Sequence, residues 1–167
     1  DFIIYNIPQL AGVALTPSLL REMKKNPRVI GVKNSSMPTQ DIQMWRDEGL
    51  IVFNGPDEQF ISGLTMGACG GIGGTYAVMP ELFLKAREHL YAGKLEDARV
   101  IQNEICRIIY AMCAAHGNLY AVMKAILKKW GADAGTVRKP LPALIDSDKA
   151  IVDACAAQIE GAIAKYC

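Results

Sequence analysis

The chain has 167 residues, a hydrophobic share of 51%, a charged share of 21% and a formal charge of +1, the profile of one globular domain with material for a sizeable core. Lys and Arg stand singly or in pairs such as Lys24-Lys25, Lys128-Lys129 and Arg138-Lys139, so no basic stripe offers itself to nucleic acid or to a membrane surface. No apolar run reaches the length of a transmembrane helix.

Taken in chain order, Phe2–Asn6 reads as a strand, entered with no lead-in, an unusual start for a domain that predicts further chain upstream. A helix follows from Thr16, with Pro17 at its first position and Asn26-Pro27 beyond its end. Val29–Lys33 is a second strand, Pro38–Asp47 a helix stopped by Gly49, and Leu50–Asn54 a third strand. Asp57–Met66 is helical, with acidic residues in the first turn where the dipole favours them. Gly70–Gly74 makes a short glycine-rich strand, and Pro80–Ala92 a helix closed by Gly93.

Strand starts about twenty residues apart, alternating with helices, argue for an α/β fold with a parallel sheet. The strands are apolar at successive positions, as in a sheet buried on both faces. Half of a (β/α)8 barrel and a small doubly wound sheet both fit, with residues 1–93 as four βα units and 94–167 as a helical extension.

In that extension Ala98, Ile101, Ile105, Ile108 and Met112 form one apolar stripe, and Leu119, Val122, Met123, Ile126, Leu127 and Trp130 another. The connector Arg138-Lys139-Pro140-Leu141-Pro142 leads to a last helix with Ser147 as its expected cap and Val152, Cys155, Ile159 and Tyr166 facing inward. Three such helices must bury against a barrel's outer ring or another subunit. The five cysteines, Cys69, Cys106, Cys113, Cys155 and Cys167, lack close pairs and read as reduced thiols of a cytosolic protein. Cys106 and Cys113, seven apart, share a helix face and read as core packing rather than as metal ligands.

The chemistry is expected at the strand ends, where barrels carry their active groups. Lys33 closes the run Val29-Ile30-Gly31-Val32 and is followed by Asn34-Ser35-Ser36. Burial at such a place disfavours the ammonium form, which suits an amine that must attack a ketone and form an imine. On position alone, a lysine snorkelling out of the strand end is the plainer reading. What shifts the balance is Tyr5, at the end of the neighbouring strand.

The other ends are Asn54-Gly55-Pro56-Asp57-Glu58 and Gly71-Ile72-Gly73-Gly74-Thr75-Tyr76. Each also has a structural reading: Tyr5 as a core tyrosine, Asp57 and Glu58 as helix caps, the glycines as close packing. Four polar or glycine-rich ends on one rim make a candidate site. The glycine run does not fit G-x-G-x-x-G, which argues against a dinucleotide.

The chain resembles the pyruvate-dependent class I aldolases and lyases typified by N-acetylneuraminate lyase and dihydrodipicolinate synthase. The resemblance rests on Tyr5-Asn6-Ile7-Pro8 with Gly12, on Gly31-Val32-Lys33-Asn34-Ser35-Ser36, on Asn54-Gly55-Pro56-Asp57-Glu58, on Gly70–Tyr76, and on Arg138-Lys139-Pro140. It extends over the whole chain. Asp57-Glu58 and the Arg-Lys-Pro stretch look more like the neuraminate lyase branch.

That resemblance implies Lys33 as the Schiff-base lysine and Tyr5 as the proton-transfer residue, with no cofactor and no metal. Ser35 would keep the hydroxyl that the branch usually has on threonine. Gly55, Asp57 and Glu58 would meet the hydroxyls of a sugar tail, and Ile72 would offer its backbone. Gly74 and Ala77 depart from the usual serine and asparagine, and Pro56 from a usual tyrosine, which bears on the tail and not on the imine. The implied partner is a small 2-keto acid, and the implied assembly a homo-oligomer, commonly a tetramer.

A closed barrel of this family needs about eight strands. The chain is therefore expected to be the C-terminal half of a TIM barrel, four βα units and then three helices. The implied reaction is cleavage of N-acetylneuraminate to N-acetylmannosamine and pyruvate. A sister pyruvate-dependent aldolase, such as dihydrodipicolinate synthase or a keto-deoxy-sugar-acid aldolase, and a non-catalytic barrel fragment remain alternatives.

Overall fold

Four parallel strands lie side by side in chain order: β1 (Phe2–Asn6), β2 (Val29–Asn34), β3 (Ile51–Asn54) and β4 (Gly70–Gly71). Between them run α1 (Pro8–Ala11), α2 (Pro17–Met23), α3 (Gln40–Asp47) and α4 (Phe60–Thr65). The computed structural model describes residues 1–167, and this sheet with its helices is the first of two compact units, Asp1–Gly73. The second is Gly74–Cys167. The boundary between them falls ahead of Gly93, the point at which the sequence changes from mixed to purely helical elements.

Local signals set the helix ends. Thr16 Oγ1 accepts the backbone N–H of Leu19 at 3.2 Å while Pro17 opens α2. The short α1 escapes a periodicity reading, because one turn has no period. Its signal is a proline at the first position and Gly12 at φ 68°, whose N–H reaches the Pro8 carbonyl at 2.9 Å. β4 is shorter than the expected Gly70–Gly74. Its partner β3 ends at Asn54, opposite Gly71, and after the Ile72 N–H bonds the Asn54 carbonyl no ladder partner is left.

The two sheet faces differ. Val32 and Val52 point to the helix-bearing face and are buried with Leu20, Ile42, Trp45, Leu50 and Ala68, with Ile4, Leu15 and Met66 packed alongside. The other face carries Ile3, Tyr5 and Ile51, which are 40%, 52% and 47% exposed. The burial on both faces expected from the apolar strands is thus present on one face of this chain. The second face is apolar and open.

The second unit holds α5 (Pro80–Tyr91), α6 (Leu95–Cys113), α7 (Leu119–Lys129) and α8 (Lys149–Tyr166). The three terminal helices find burial surface within this unit: α6 packs on α5 and α8, and α7 on α8. Ala98, Ile101, Ile105, Ile108 and Met112 are all buried, as are Val122, Met123 and Ile126. Trp130 leaves the second stripe for the surface, where its indole N–H donates to Glu160 Oε1 at 2.7 Å. All five cysteines are free thiols. Cys155 is buried, which pushes its thiol up. Cys113 is exposed rather than in the core, because it is the last residue of α6, one position beyond the buried Met112.

The start of α8 is held by Asp148 and not by the expected Ser147. The Asp148 carboxylate accepts the backbone N–H groups of Ile145 (3.0 Å), His116 (2.8 Å) and Gly117 (3.0 Å). A charged group with two acceptor oxygens can serve three donors, and a single hydroxyl cannot. The Ile145 bond first, then those of His116 and Gly117, hold this carboxyl below its ordinary value.

A depressed folded-state value adds stability where the carboxylate is charged, and the contribution is lost as pH falls through that value. Asp148→Asn is therefore expected to lower the urea midpoint at neutral pH. It should also flatten the acid limb of the midpoint–pH curve below about pH 5; parallel curves for the two proteins would contradict this role. The open sheet face makes a second prediction. Residues 1–167 alone are expected to self-associate through it, and Ile51→Lys to shift sedimentation toward monomer. A concentration-independent monomer before substitution would refute the association.

Candidate active site

Register builds the site. β1 pairs with β2 so that Tyr5 faces Lys33 and Asn6 faces Asn34, and β2 pairs with β3 so that Asn34 faces Asn54. Side chains alternate along a strand, so Tyr5 and Lys33 share the open face while the three asparagines share the covered one. Lys33 Nζ lies 4.1 Å from the Tyr5 ring centroid, within cation–π range. Lys33 is half-buried, not sealed in as the end of a doubly covered strand would be. Tyr5, at 52% exposure, is no core tyrosine in this chain.

Beneath this rung lies a buried polar layer. Asn34 Oδ1 accepts from Asn6 Nδ2 at 2.9 Å and from Trp45 Nε1 at 3.0 Å, filling both lone pairs. Asn6 Oδ1 takes the backbone N–H of Leu15 at 3.2 Å. Ser36 Oγ lies 3.0 Å from Asn34 Oδ1 and 2.8 Å from Asp41 Oδ2. Its one proton goes to the charged carboxylate, the stronger acceptor. Asn54 turns its amide N–H to the Pro56 carbonyl at 2.7 Å, leaving a buried oxygen with no hydrogen-bond partner. A repeated pattern in the sequence marks these asparagines: Tyr5-Asn6, Lys33-Asn34 and Phe53-Asn54 close three strands in the same way.

The other expected residues arrange themselves around glycines. Ser35 and Gly55 meet at the ends of β2 and β3, so closely that a Cβ on Gly55 would stand 2.0 Å from Ser35 Oγ and 2.6 Å from the Asn34 carbonyl. Asp57 is buried with its carboxylate against Gly73, where a Cβ would come within 1.6 Å of Oδ1. Glu58 beside it is exposed. They open a 3-10 turn, Asp57–Gln59, and neither that turn nor α4 has a side-chain cap hydrogen bond. Ile72 is exposed, with its N–H committed to Asn54. Gly74 belongs to the second unit, and the space a side chain there needs is taken by Tyr120 and Met123, at 2.7 and 2.9 Å. No group of three His, Cys, Asp or Glu residues is placed to hold a metal ion.

The model of the dihydrodipicolinate synthetase family matches residues 1–159. The chain belongs to this family. It is 61% identical to an N-acetylneuraminate lyase of Mediterraneibacter gnavus over 99% of its own length and 54% of that protein's. An N-acetylneuraminate lyase of Lactiplantibacillus plantarum is 31% identical over 83% of the chain and 48% of its own length. A solved Ruminococcus gnavus sialic acid aldolase, described as a catalytic lysine mutant, matches all of the chain and 56% of its own with TM-score 0.97 and 60% identity. The chain thus spans about half the length of the curated relatives it matches. Its fold is α/β, covering about half of a TIM-barrel aldolase and ending in helices. No helix is long and apolar enough to cross a membrane.

The tight contact at Gly55 is open to test. Gly55→Ala drives a methyl into backbone and should cost about 1–3 kcal/mol, the range for overpacking. Gly70→Ala, whose Cβ would meet nothing within 4 Å, should stay within about 0.5 kcal/mol. Equal urea midpoints for the two variants would show that the close approach carries no energy.

Proposed function

We propose that the whole protein cleaves N-acetylneuraminate to N-acetylmannosamine and pyruvate through an imine on Lys33. The observation that carries this reading is the Tyr5–Lys33 rung, an amine held on a tyrosine ring on the open sheet face of a member of this family. Support comes from the 61% identity to a protein named for that lyase activity, and from a 60%-identical relative described as having a catalytic lysine.

In this mechanism the Lys33 amine attacks the C2 carbonyl of the 2-keto acid and water leaves. The protonated imine withdraws the electron pair of the C3–C4 bond as Tyr5 takes the proton from the C4 hydroxyl. The aldehyde sugar departs, the enamine takes a proton at C3, and water returns to release pyruvate. The Ser35 hydroxyl would line the acid, with Gly55, Asp57 and Glu58 meeting the sugar hydroxyls. Ile72 would offer its backbone to the tail. The same proposal takes the five free thiols as those of a cytosolic protein and the assembly as a homo-oligomer, tetrameric as is common in the family.

Pyruvate with borohydride should add one reduced pyruvyl group per chain of the whole protein, at Lys33. Lys33→Ala should abolish labelling, and so should Lys33→Arg, because a guanidinium stays protonated. Tyr5→Phe should keep the fold and lower turnover by roughly 10²–10⁴-fold, the usual worth of a positioned proton-transfer group. Label on another lysine, or persisting in the alanine variant, would overturn the mechanism. Residues 1–167 alone should release no pyruvate.

A further inference from the structure

Asn34 is 1% exposed and Trp45 2%, so the two bonds to Asn34 Oδ1 are made out of water's reach. They come from different directions, one sideways from β1 and one from α3 on the covered face. The backbone around them is tied to the same strands: Ser35 N–H donates to the Asn6 carbonyl and Gly55 N–H to the Asn34 carbonyl, both at 2.8 Å. A side chain fixed at both of its neighbours fixes its own Cα, and with it the peptide joining it to residue 33. Lys33 leaves that peptide toward the opposite face. Its aim across the open sheet is therefore set by groups that never touch it.

An uncharged amide suits the position. Its oxygen offers two lone pairs to two buried donors without a charge that burial would penalise. A shift of β2 against β1 would leave the Asn6 amide and the Trp45 indole without their acceptor, an outcome more costly than the bonds are worth when made. A single buried asparagine fixes register in coiled coils by the same logic.

We propose that Asn34 is a positioning residue for the imine-forming amine: its side-chain oxygen, shared by Asn6 and Trp45, fixes the direction of Lys33 and its match to Tyr5. The inference rests on Lys33 as the imine lysine. It acts through main-chain geometry and not through contact with substrate.

The test is the time course of pyruvate trapping by borohydride in the whole protein, read by intact mass as a rate constant and a final extent. A structural defect that leaves chains lastingly unfolded lowers the extent and leaves the rate constant of the folded fraction alone. Mispositioning lowers the rate constant at full extent. Asn34→Ala is expected to lower it by roughly ten- to a hundredfold, the scale of a misplaced reacting group. Asn34→Asp keeps acceptors for the same two donors but adds the buried charge that the amide avoids, and should recover part of the rate lost in the alanine variant. Trp45→Phe removes one donor while keeping an aromatic ring in the core, and should fall between.

A parental rate constant in Asn34→Ala, whatever its extent, would overturn the inference, as would Asn34→Asp reacting no faster than the alanine variant. Should Asn34→Ala fail to fold, Trp45→Phe decides, and a parental rate constant there overturns the inference too. No trapping in the unsubstituted protein would overturn the Lys33 reading and this inference with it. Trapping there with indifferent variants overturns this inference alone.

Discussion

The structure depends on the register between β1 and β2. Once Asn6 faces Asn34, the period of two in a strand sends every neighbouring side chain to its face. Ile4 and Val32 join the core with Leu20, Ile42 and Trp45. Tyr5 and Lys33 are sent the other way, where the Lys33 nitrogen meets the Tyr5 ring. The apolar core alone would tolerate small displacements, since aliphatic contacts have no direction. The amide bridge does have one, and it stands next to the pair that must be aligned.

Around that register the rim is built by subtraction. Gly55, Gly63 and Gly73 each leave out the Cβ that would strike a polar atom, namely Ser35 Oγ, Asn54 Oδ1 and Asp57 Oδ1. Main chain and polar side chains can then come closer than two side chains allow. The second unit depends on a comparable device, the Asp148 carboxylate drawing the α6–α7 connection and the start of α8 onto one charge.

Much of this was legible in the sequence because it depends on near neighbours. Pro17 after Thr16, the glycines past α3 and α5, and the inward stripe of α6 are local signals, and the helices lie where those signals put them. The juxtaposition of Tyr5 with Lys33 was legible because parallel crossovers bring the ends of consecutive strands to one rim. What escaped depends on partners distant in sequence. β4 stops at Gly71 because β3 stops at Asn54, which no property of the glycine run reveals. Ser147 looked like the cap because caps are read from adjacent residues, whereas Asp148 serves His116 and Gly117 from a connection more than thirty positions away. The asparagines look polar and therefore peripheral; only pairing across strands shows them as buried. An apolar strand likewise does not say whether its second face is covered in the same chain.

The division of labour along β2 gives the chain something like a reading frame. A residue gained or lost in the connections after α1 or after α2 alters only how the chain travels between strands, and β2 still arrives with its lysine on the open side. A single residue gained between Ile30 and Lys33 would exchange the two sides, turning the amine toward Trp45 and an amide toward Tyr5. Length drift is therefore tolerable in the crossovers and ruinous within six residues of strand.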